Sequence, residues 1–196
     1  MKFLKIINFL LLFFINYYIY SIDFKELTIE NYSHILPEVE KGNIFKILEK
    51  TSENHGYITV IGIINEKPDK VWVILQDPNK KMYKDILENH ILYKKENYYI
   101  KKKLIDFPFP FDDRWTIIEE NIYDHLYSKQ WKEKGGDIKI NRGAIRLFPY
   151  KGKTLMIFKA SFDPGLPFVP EWIIQWGLRI KAPMIINQVR NRISSG

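Results

Sequence analysis

The sequence predicts an α+β fold in which a curved antiparallel β-sheet is wrapped around one long C-terminal α-helix. Runs rich in β-branched and aromatic residues, separated by turn residues, occupy most of positions 89–162. An early strand and two short helical patterns precede these runs. Apolar residues then recur at helical spacing between Glu171 and Ile193. Because an antiparallel sheet usually has one face to cover, we expect the final helix to cover it.

The composition fits one domain with an appendage. The chain has 196 residues, of which 46% are apolar and 15% aromatic. Its 30 basic and 23 acidic residues give a net charge of +7, but the charges are dispersed. A dispersed excess of this kind favours a solvated, lysine-rich surface over a site for nucleic acid or anionic membrane. Cysteine is absent, which excludes disulfides, thiolate metal sites and a cysteine nucleophile.

Residues 1–21 are typical of a secretory signal peptide or an N-terminal membrane anchor. Lys2 and Lys5 form a basic start, and an almost unbroken apolar run follows. Ser21 suits a cleavage site, whereas Ile19 stands where a small residue is preferred, so an uncleaved anchor is the alternative. A buried core helix is disfavoured because the segment lacks a polar face. We therefore expect an exported protein, periplasmic or membrane-associated through this segment.

The next residues lead into the main domain, which we place at 43–194. Residues 22–42 are weakly periodic and predict a connecting segment with one short helix, held loosely to the domain. Residues 43–50 and 57–65 predict the strands of a hairpin around a turn-rich segment. Pro68 and Pro78 each suit the first turn of a short helix, and the second of these helices is expected to extend to Leu87.

The middle of the chain predicts a run of antiparallel strands. Turn residues such as Asn97 and Gly152 separate them. Lysine groups at 94–95, 101–103 and 132–134 lie on or beside these strands, and we expect them to face solvent and to protect strand edges. The expected strands are 89–95, 98–106, 114–124, 126–133, 143–150 and 153–162.

A long amphipathic helix is predicted to end the domain. The proline-rich segment 163–170 cannot be helical, and Glu171 suits the positive end of a helix dipole. Trp172 and Trp176 lie one turn apart, and we expect both on the buried side. Pro183 interrupts the pattern, which predicts a kink.

Four stretches of the sequence together resemble a known superfamily. They read INEKPDKVWVILQDP, FPFPFDDRW, GAIRLFPYKGKTLMIFKASFDPG and PFVPEWIIQW followed by KAPMIINQVR. In order and spacing they are similar to the START-like, helix-grip (SRPBCC) superfamily, and within it to bacterial START-domain proteins. The resemblance covers residues 43–193. It departs at Trp115, where the family usually has an acid after Asp-Arg, so no role of that acid can be carried over.

The resemblance implies a function in binding hydrophobic molecules. It predicts a cavity between the sheet and the C-terminal helix that takes a sterol, a phospholipid or another apolar ligand, either to bind or to transfer it. The alternative is an enzyme of the polyketide cyclase/dehydratase or hydrolase type that uses the same cavity. We expect a monomer without a cofactor, with the membrane surface as a further candidate partner and nucleic acid excluded.

Two groups of residues are the candidate site. Arg114 could pair with a lipid phosphate or carboxylate, or form an ion pair with Asp112 or Asp113 that fixes the strand start. The two tryptophans of the last helix could line the cavity roof or anchor the helix in the core. The candidate ligand contacts are Arg114, Phe158, Trp172, Ile173, Trp176 and Ile180. The candidate residues of the cavity rim and of membrane contact are Phe107, Phe109, Phe168 and Val169.

No catalytic or metal-binding pattern is present in the sequence. The four histidines, at positions 34, 55, 90 and 125, are far apart and show no metal-ligand spacing. Asp124 and His125 are neighbours along the chain, so on a strand their side chains would point to opposite faces. No Ser-His-Asp order or glycine-rich phosphate loop occurs, and no catalytic residue is predicted.

Overall fold

A computed structural model describes residues 22–49, 56–76 and 84–195. The predictions for residues 1–21, for the turn-rich segment after Glu49 and for the start of the second short helix at Pro78 lie outside these residues. Within the described ranges, no helix has both the length and the apolar character that a membrane crossing requires.

The described residues form one antiparallel sheet of eight strands. Its order is β1-β2-β8-β7-β6-β5-β4-β3. Strands that follow each other in sequence are paired, except β2 and β3, and β2 instead pairs with β8 as well as with β1. The predicted strand pairings and the turns at Asn97 and Gly152 are confirmed, with shifts of a few residues at strand ends. The strands are β1 Phe45–Glu49, β2 Tyr57–Ile64, β3 Ile86–Lys95, β4 Tyr98–Ile105, β5 Arg114–Tyr123, β6 Ser128–Gly136, β7 Ile140–Tyr150 and β8 Lys153–Asp163.

In the part of the chain that the structure describes, four α-helices accompany the sheet, and three short 3-10 helices occupy Phe24–Glu26, Glu30–Ile35 and Asp124–Leu126. Leu87 lies in β3 rather than in the predicted second short helix. The C-terminal helix is divided in two at Ala182–Pro183, because Pro183 lacks the N–H that would bond back into the preceding turn. The helices are α1 Leu36–Glu40, α2 Pro68–Gln76, α3 Glu171–Lys181 and α4 Met184–Ser194.

The main core lies on the concave face of the sheet. Alternate side chains of a strand point to the same face, and Val60, Phe158 and Ile145 lie side by side on β2, β8 and β7. Helix α4 packs on them through Ile185 and Ile186, which are buried, and α2 packs beside α4. The part of the concave face formed by β2, β8 and β7 is therefore filled with apolar side chains.

A second core lies on the convex face, under residues 22–42. Leu27 and Val39 are fully buried there and belong to the same cluster as Ile61 and Ile157 of the sheet. Arg146 of β7 donates from Nη1 to the backbone oxygen of Leu27 at 3.1 Å. The expectation that this segment is held loosely is wrong, because its apolar residues cover a face of the sheet that would otherwise be exposed.

Candidate ligand-binding site

The part of the concave face formed by β4, β5 and β6 carries a cluster of charged side chains among buried residues such as Ile118. Lys101 and Lys103 of β4 point to the same face because they are two residues apart, while Lys102 between them points to the convex face. Glu120 of β5 and Lys129 of β6 lie beside them, since Glu120 pairs with Tyr99 and Lys129 with Ile122. We call Lys101, Lys103, Glu120 and Lys129 the interior charge cluster.

Glu120 is the centre of the interior charge cluster. Its side chain is 5% exposed and forms an ion pair with Lys101, while the Nζ of Lys129 lies 3.9 Å from its second oxygen. Burial by itself would raise the pKa of Glu120, but Lys129, Lys101 and Lys103 outweigh burial and lower this pKa to about 2. Glu120 is therefore a carboxylate at every physiological pH.

Lys129 connects the cluster to helix α2. Its Nζ donates a hydrogen bond to the backbone oxygen of Leu75 at 3.0 Å. Leu75 lies in the last described turn of α2. Burial lowers the pKa of Lys129, and Glu120 opposes this effect.

Lys103 is the cluster member without a direct partner. Among the described residues, its side-chain ammonium makes no hydrogen bond and no ion pair. It lies deep in the molecule, yet its side chain keeps part of its surface accessible, so open space adjoins it. Burial is the main cause that lowers the pKa of Lys103 to about 8, with Glu120 acting against it and Lys101 and Lys129 adding to it.

Aromatic side chains surround the cluster on the same face. Trp131 of β6 lies over Gly143 of β7, where any Cβ would collide with its ring. Its ring also packs against Phe158, with 5.9 Å between centroids. On the other side of the cluster, the Nζ of Lys101 lies 4.8 Å from the ring centroid of Tyr99. The charged groups thus lie between apolar surfaces.

A polar row crosses the sheet from Lys103 to the start of helix α3. Lys103 pairs with Thr116 of β5, whose Oγ1 accepts a hydrogen bond from Nδ2 of Asn141 at 3.4 Å. Asn141 also accepts from Nε1 of Trp131 at 3.2 Å and pairs with Phe162 on β8. Phe162 lines a cleft, so this row leads from the interior charge cluster to the protein surface.

This cleft has a volume of about 350 Å³. It lies between the start of α3 and the open end of the β7–β8 hairpin, where β7 begins and β8 ends. We call it the mouth cleft. Phe107 stacks on Phe162 beside it, with 6.4 Å between ring centroids and 12° between ring planes. The lining residues are Lys139, Phe162, Asp163, Gly165, Leu166, Val169, Glu171, Ile174 and Gln175.

A second cleft of about 450 Å³ lies on the outer side of α3. It is more open than the mouth cleft, and it lies between β1 and the end of α3. It is lined by Lys46, Trp176, Arg179, Ile180 and Pro183.

Arg114 holds the segment before α3 in place. Its Nη1 donates to the backbone oxygens of Asp137, Pro164 and Gly165 at 3.3 to 3.5 Å. Among the described residues, neither Asp112 nor Asp113 forms an ion pair with Arg114, which instead fixes this segment through carbonyl groups. A ligand contact for Arg114 stays a prediction.

The tryptophans of helix α3 lie on its exposed face. Trp172 is 70% and Trp176 is 62% exposed, and Ile173 and Ile180 also retain large exposed areas. The expectation that both tryptophans lie on the buried side is wrong, because α3 packs inward through a different stripe that includes Leu178. Phe158 is buried on the concave face, where it contacts the core and Trp131.

The four predicted rim residues are divided between the mouth cleft and the open surface. Val169 lines the cleft, and Phe107 lies beside it through its stacking on Phe162. Phe109 and Phe168 are almost fully exposed, one on each of the two loops near the cleft. Within the described ranges, no three His, Asp or Glu side chains form a group that could hold a metal ion.

The residues that sequence reasoning missed are those of the interior charge cluster. The group 101–103 was expected to face solvent, but Lys101 and Lys103 face the interior, and only Lys102 fits that expectation. The alternation of the neighbouring strand carried the signal. Ile118 and Ile122 mark the buried face of β5, and Glu120 lies on that face between them.

Comparison with known proteins supports the fold through structure alone. No protein-family model and no curated protein matches the sequence. Human StAR-related lipid transfer protein 5 is similar in structure at a TM-score of 0.64 and 9% identity, over 79% of this chain and 83% of that one. A START superfamily protein from Mycobacterium smegmatis is similar at a TM-score of 0.60 and 12% identity, over 72% and 98%.

The chain has the helix-grip fold of START domains. An aromatase/cyclase from Streptomyces sp. R1128 is also similar, at a TM-score of 0.60 and 12% identity, over 69% of this chain and 92% of that one. The START-like fold predicted from the sequence is confirmed, including the curved sheet and the C-terminal helical segment. A fold shared by lipid transfer domains and a cyclase leaves the function to be argued from the site.

Proposed function

We propose that this START-like protein binds a lipid or another hydrophobic ligand between the concave face of its sheet and its C-terminal helices. The observation that carries the proposal is the interior charge cluster on the concave face. There, aromatic side chains flank the cluster, Lys103 is only partly buried, and a polar row leads from it to the mouth cleft. Apolar walls with a few convergent polar groups are the usual form of a small-molecule site.

Ligand exchange at a membrane fits the exposed surface beside the mouth cleft. Phe109, Phe168, Trp172 and Trp176 expose large apolar side chains on the two loops and on α3. Aromatic residues of this kind insert readily at the interface between water and lipid. We infer that the protein acts outside the cytoplasm, with residues 1–21 as its export signal or anchor; the basic start and apolar run of that segment support this.

Mass spectrometry of molecules extracted from the purified full-length protein tests the binding proposal. We expect a lipid or another hydrophobic molecule in amounts approaching one per chain. Val169→Trp, which fills the mouth cleft, should lower that amount severalfold. Val73→Trp is the matched control, because Val73 lies on the exposed face of α2. Wild-type protein that repeatedly yields no such molecule, and binds none when offered lipids, would contradict the proposal.

A second candidate function is an enzyme that uses the same site. The observation that favours it is Lys103, because an amine with a pKa of about 8 is partly neutral near physiological pH and can act as a base or a nucleophile. The extracted molecule, offered back to the protein, distinguishes the two functions. Conversion by the wild type and its loss in Lys103→Gln would establish an enzyme, whereas unchanged recovery leaves a binding protein.

A further inference from the structure

The charges of the interior charge cluster do not balance. Three ammonium groups, from Lys101, Lys103 and Lys129, meet one carboxylate, from Glu120. Among the residues that the structure describes, the charged groups that act on Lys103 and on Glu120 are the other members of the cluster, and no further described acid offsets the excess. An unmatched charge is expensive in the interior of a protein unless a partner is supplied.

The unmatched charge is located at Lys103. Lys101 contacts the carboxylate of Glu120, and Lys129 has both that carboxylate at 3.9 Å and the oxygen of Leu75 at 3.0 Å. Lys103 has neither kind of partner among the residues that the structure describes, and space adjoins its side chain. A group that enters this space can contact an ammonium that pairs with none of the described side chains.

The surroundings of Lys103 define the chemistry of that group. Tyr99, Trp131 and Phe158 provide apolar surface on the same face, and Thr116 and Asn141 provide polar atoms toward the mouth cleft. A free inorganic anion would leave the apolar surface uncovered, and an uncharged lipid would leave the ammonium unpaired. A molecule with an anionic headgroup and a hydrocarbon body satisfies both.

We propose that the ligand of this site is an amphiphile with an anionic headgroup, such as a phosphate or a carboxylate, which pairs with Lys103 and balances the interior charge cluster. This inference rests on the proposed function and names the substrate class of the same site. Ammonium–anion hydrogen bonds are among the stronger polar contacts, and a low local dielectric strengthens them further. Lys101 and Lys129 lie close enough to add long-range attraction.

Calorimetric titration of the full-length protein, kept free of detergent, with three probes tests the proposal. The probes are 1-decanesulfonate, 1-decanol and inorganic sulfate, used below micelle-forming concentrations. They separate an anionic amphiphile from its neutral counterpart and from a free anion. We expect decanesulfonate to bind at least about tenfold more tightly than decanol, and sulfate to bind far more weakly than either.

The other possible outcomes of the titration each refute a different part of the proposal. Equal binding of decanesulfonate and decanol refutes the anionic headgroup but leaves hydrophobic binding intact. Failure of both to bind contradicts the proposed function itself. Sulfate that binds as tightly as decanesulfonate shows that the site takes a free anion instead of an amphiphile.

Two charge variants test whether the headgroup binds at Lys103. Lys103→Gln should weaken decanesulfonate binding about tenfold or more and leave decanol binding nearly unchanged. Lys102→Gln is the matched control, because it removes the same charge from the same strand on the convex face, where Lys102 lies over the ring of Trp115. If the two variants lose affinity equally, the preference for anions comes from the net charge of the protein, and the placement at Lys103 is wrong.

Discussion

Replacing Lys103 by methionine should make the ligand-free protein more stable. The pKa of Lys103 falls from its ordinary value of 10.5 to about 8, and a shift of that size corresponds to about 3 kcal/mol at neutral pH. Part of the side chain is accessible, which reduces the penalty, so we expect Lys103→Met to gain about 1–3 kcal/mol. Methionine keeps an unbranched apolar chain of similar length, so the change removes the charge with little loss of packing.

The gain should depend on pH in a defined direction. The pKa of Lys103 is lower in the folded protein than in the unfolded chain, so protonation of Lys103 favours unfolding. This penalty is present in full below about pH 8 and disappears as pH rises to 10.5. The difference between the variant and the wild type should therefore be large at pH 7 and small at pH 10.5.

Urea denaturation followed by tryptophan fluorescence measures both quantities. Lys102→Met is the control, because Lys102 is on the convex face and its removal should bring no gain at either pH. A destabilised Lys103→Met at pH 7, or a gain of the same size at pH 7 and pH 10.5, would refute the idea that an unmatched buried charge is present.

Three further changes test the charge cluster, the N-terminal segment and the exposed helix face. Glu120→Gln should lower the free energy of unfolding by about 3 kcal/mol in urea denaturation at pH 7, because it leaves buried ammonium groups without a carboxylate. Glu119→Gln, on the convex face, should lower it much less, and equal losses would contradict the placement of Glu120 at the centre of the cluster. Leu27→Ala should lower the free energy of unfolding by about 2–5 kcal/mol, because it opens a cavity in the core on the convex face. Leu48→Ala, at a half-exposed position, should lower it by under about 1 kcal/mol, and similar losses would mean that residues 22–42 contribute no core. Trp176→Ala should weaken sedimentation with phosphatidylcholine vesicles severalfold without changing the urea midpoint, and unchanged sedimentation would remove this face from membrane contact.

Much of the fold follows from local patterns. Turn residues such as Asn97 and Gly152 stand between strands that are paired in the sheet, and Gly152 adopts a positive φ of 76° that its turn requires. The break of the C-terminal helix follows from the chemistry of Pro183. Signals of this kind act within a few residues, which is why sequence reasoning could use them.

The orientation of helix α3 could not be read from spacing. Trp172, Trp176 and Ile180 form one apolar stripe, and Ile174 and Leu178 form another. Both stripes satisfy helical periodicity, so the choice depends on which residues of the sheet and of α4 lie opposite, and these are distant in sequence. The structure places the second stripe inward, which leaves the tryptophans on the surface.

The packing of residues 22–42 was missed for a related reason. Leu27 and Val39 are fully buried, but they are separated by eleven mostly polar or irregular positions and show no single period. Their burial depends on the convex face of a sheet that forms from later residues. Weak periodicity therefore indicated a loose segment where the fold has a second core.

The charge of a lysine costs much less free energy on the convex face of β4–β6 than on the concave face, and this difference supports a ligand. On the convex face, Lys132 and Lys134 approach Glu119 at 2.9 and 3.4 Å, and both lysines are about half exposed. An excess of positive charge costs little there, because water and salt screen it. The interior charge cluster has a similar excess without that screening, so selection for stability alone would have replaced Lys103 with an apolar residue. An anionic headgroup explains why an ammonium is retained at the position where it is most costly in the empty protein.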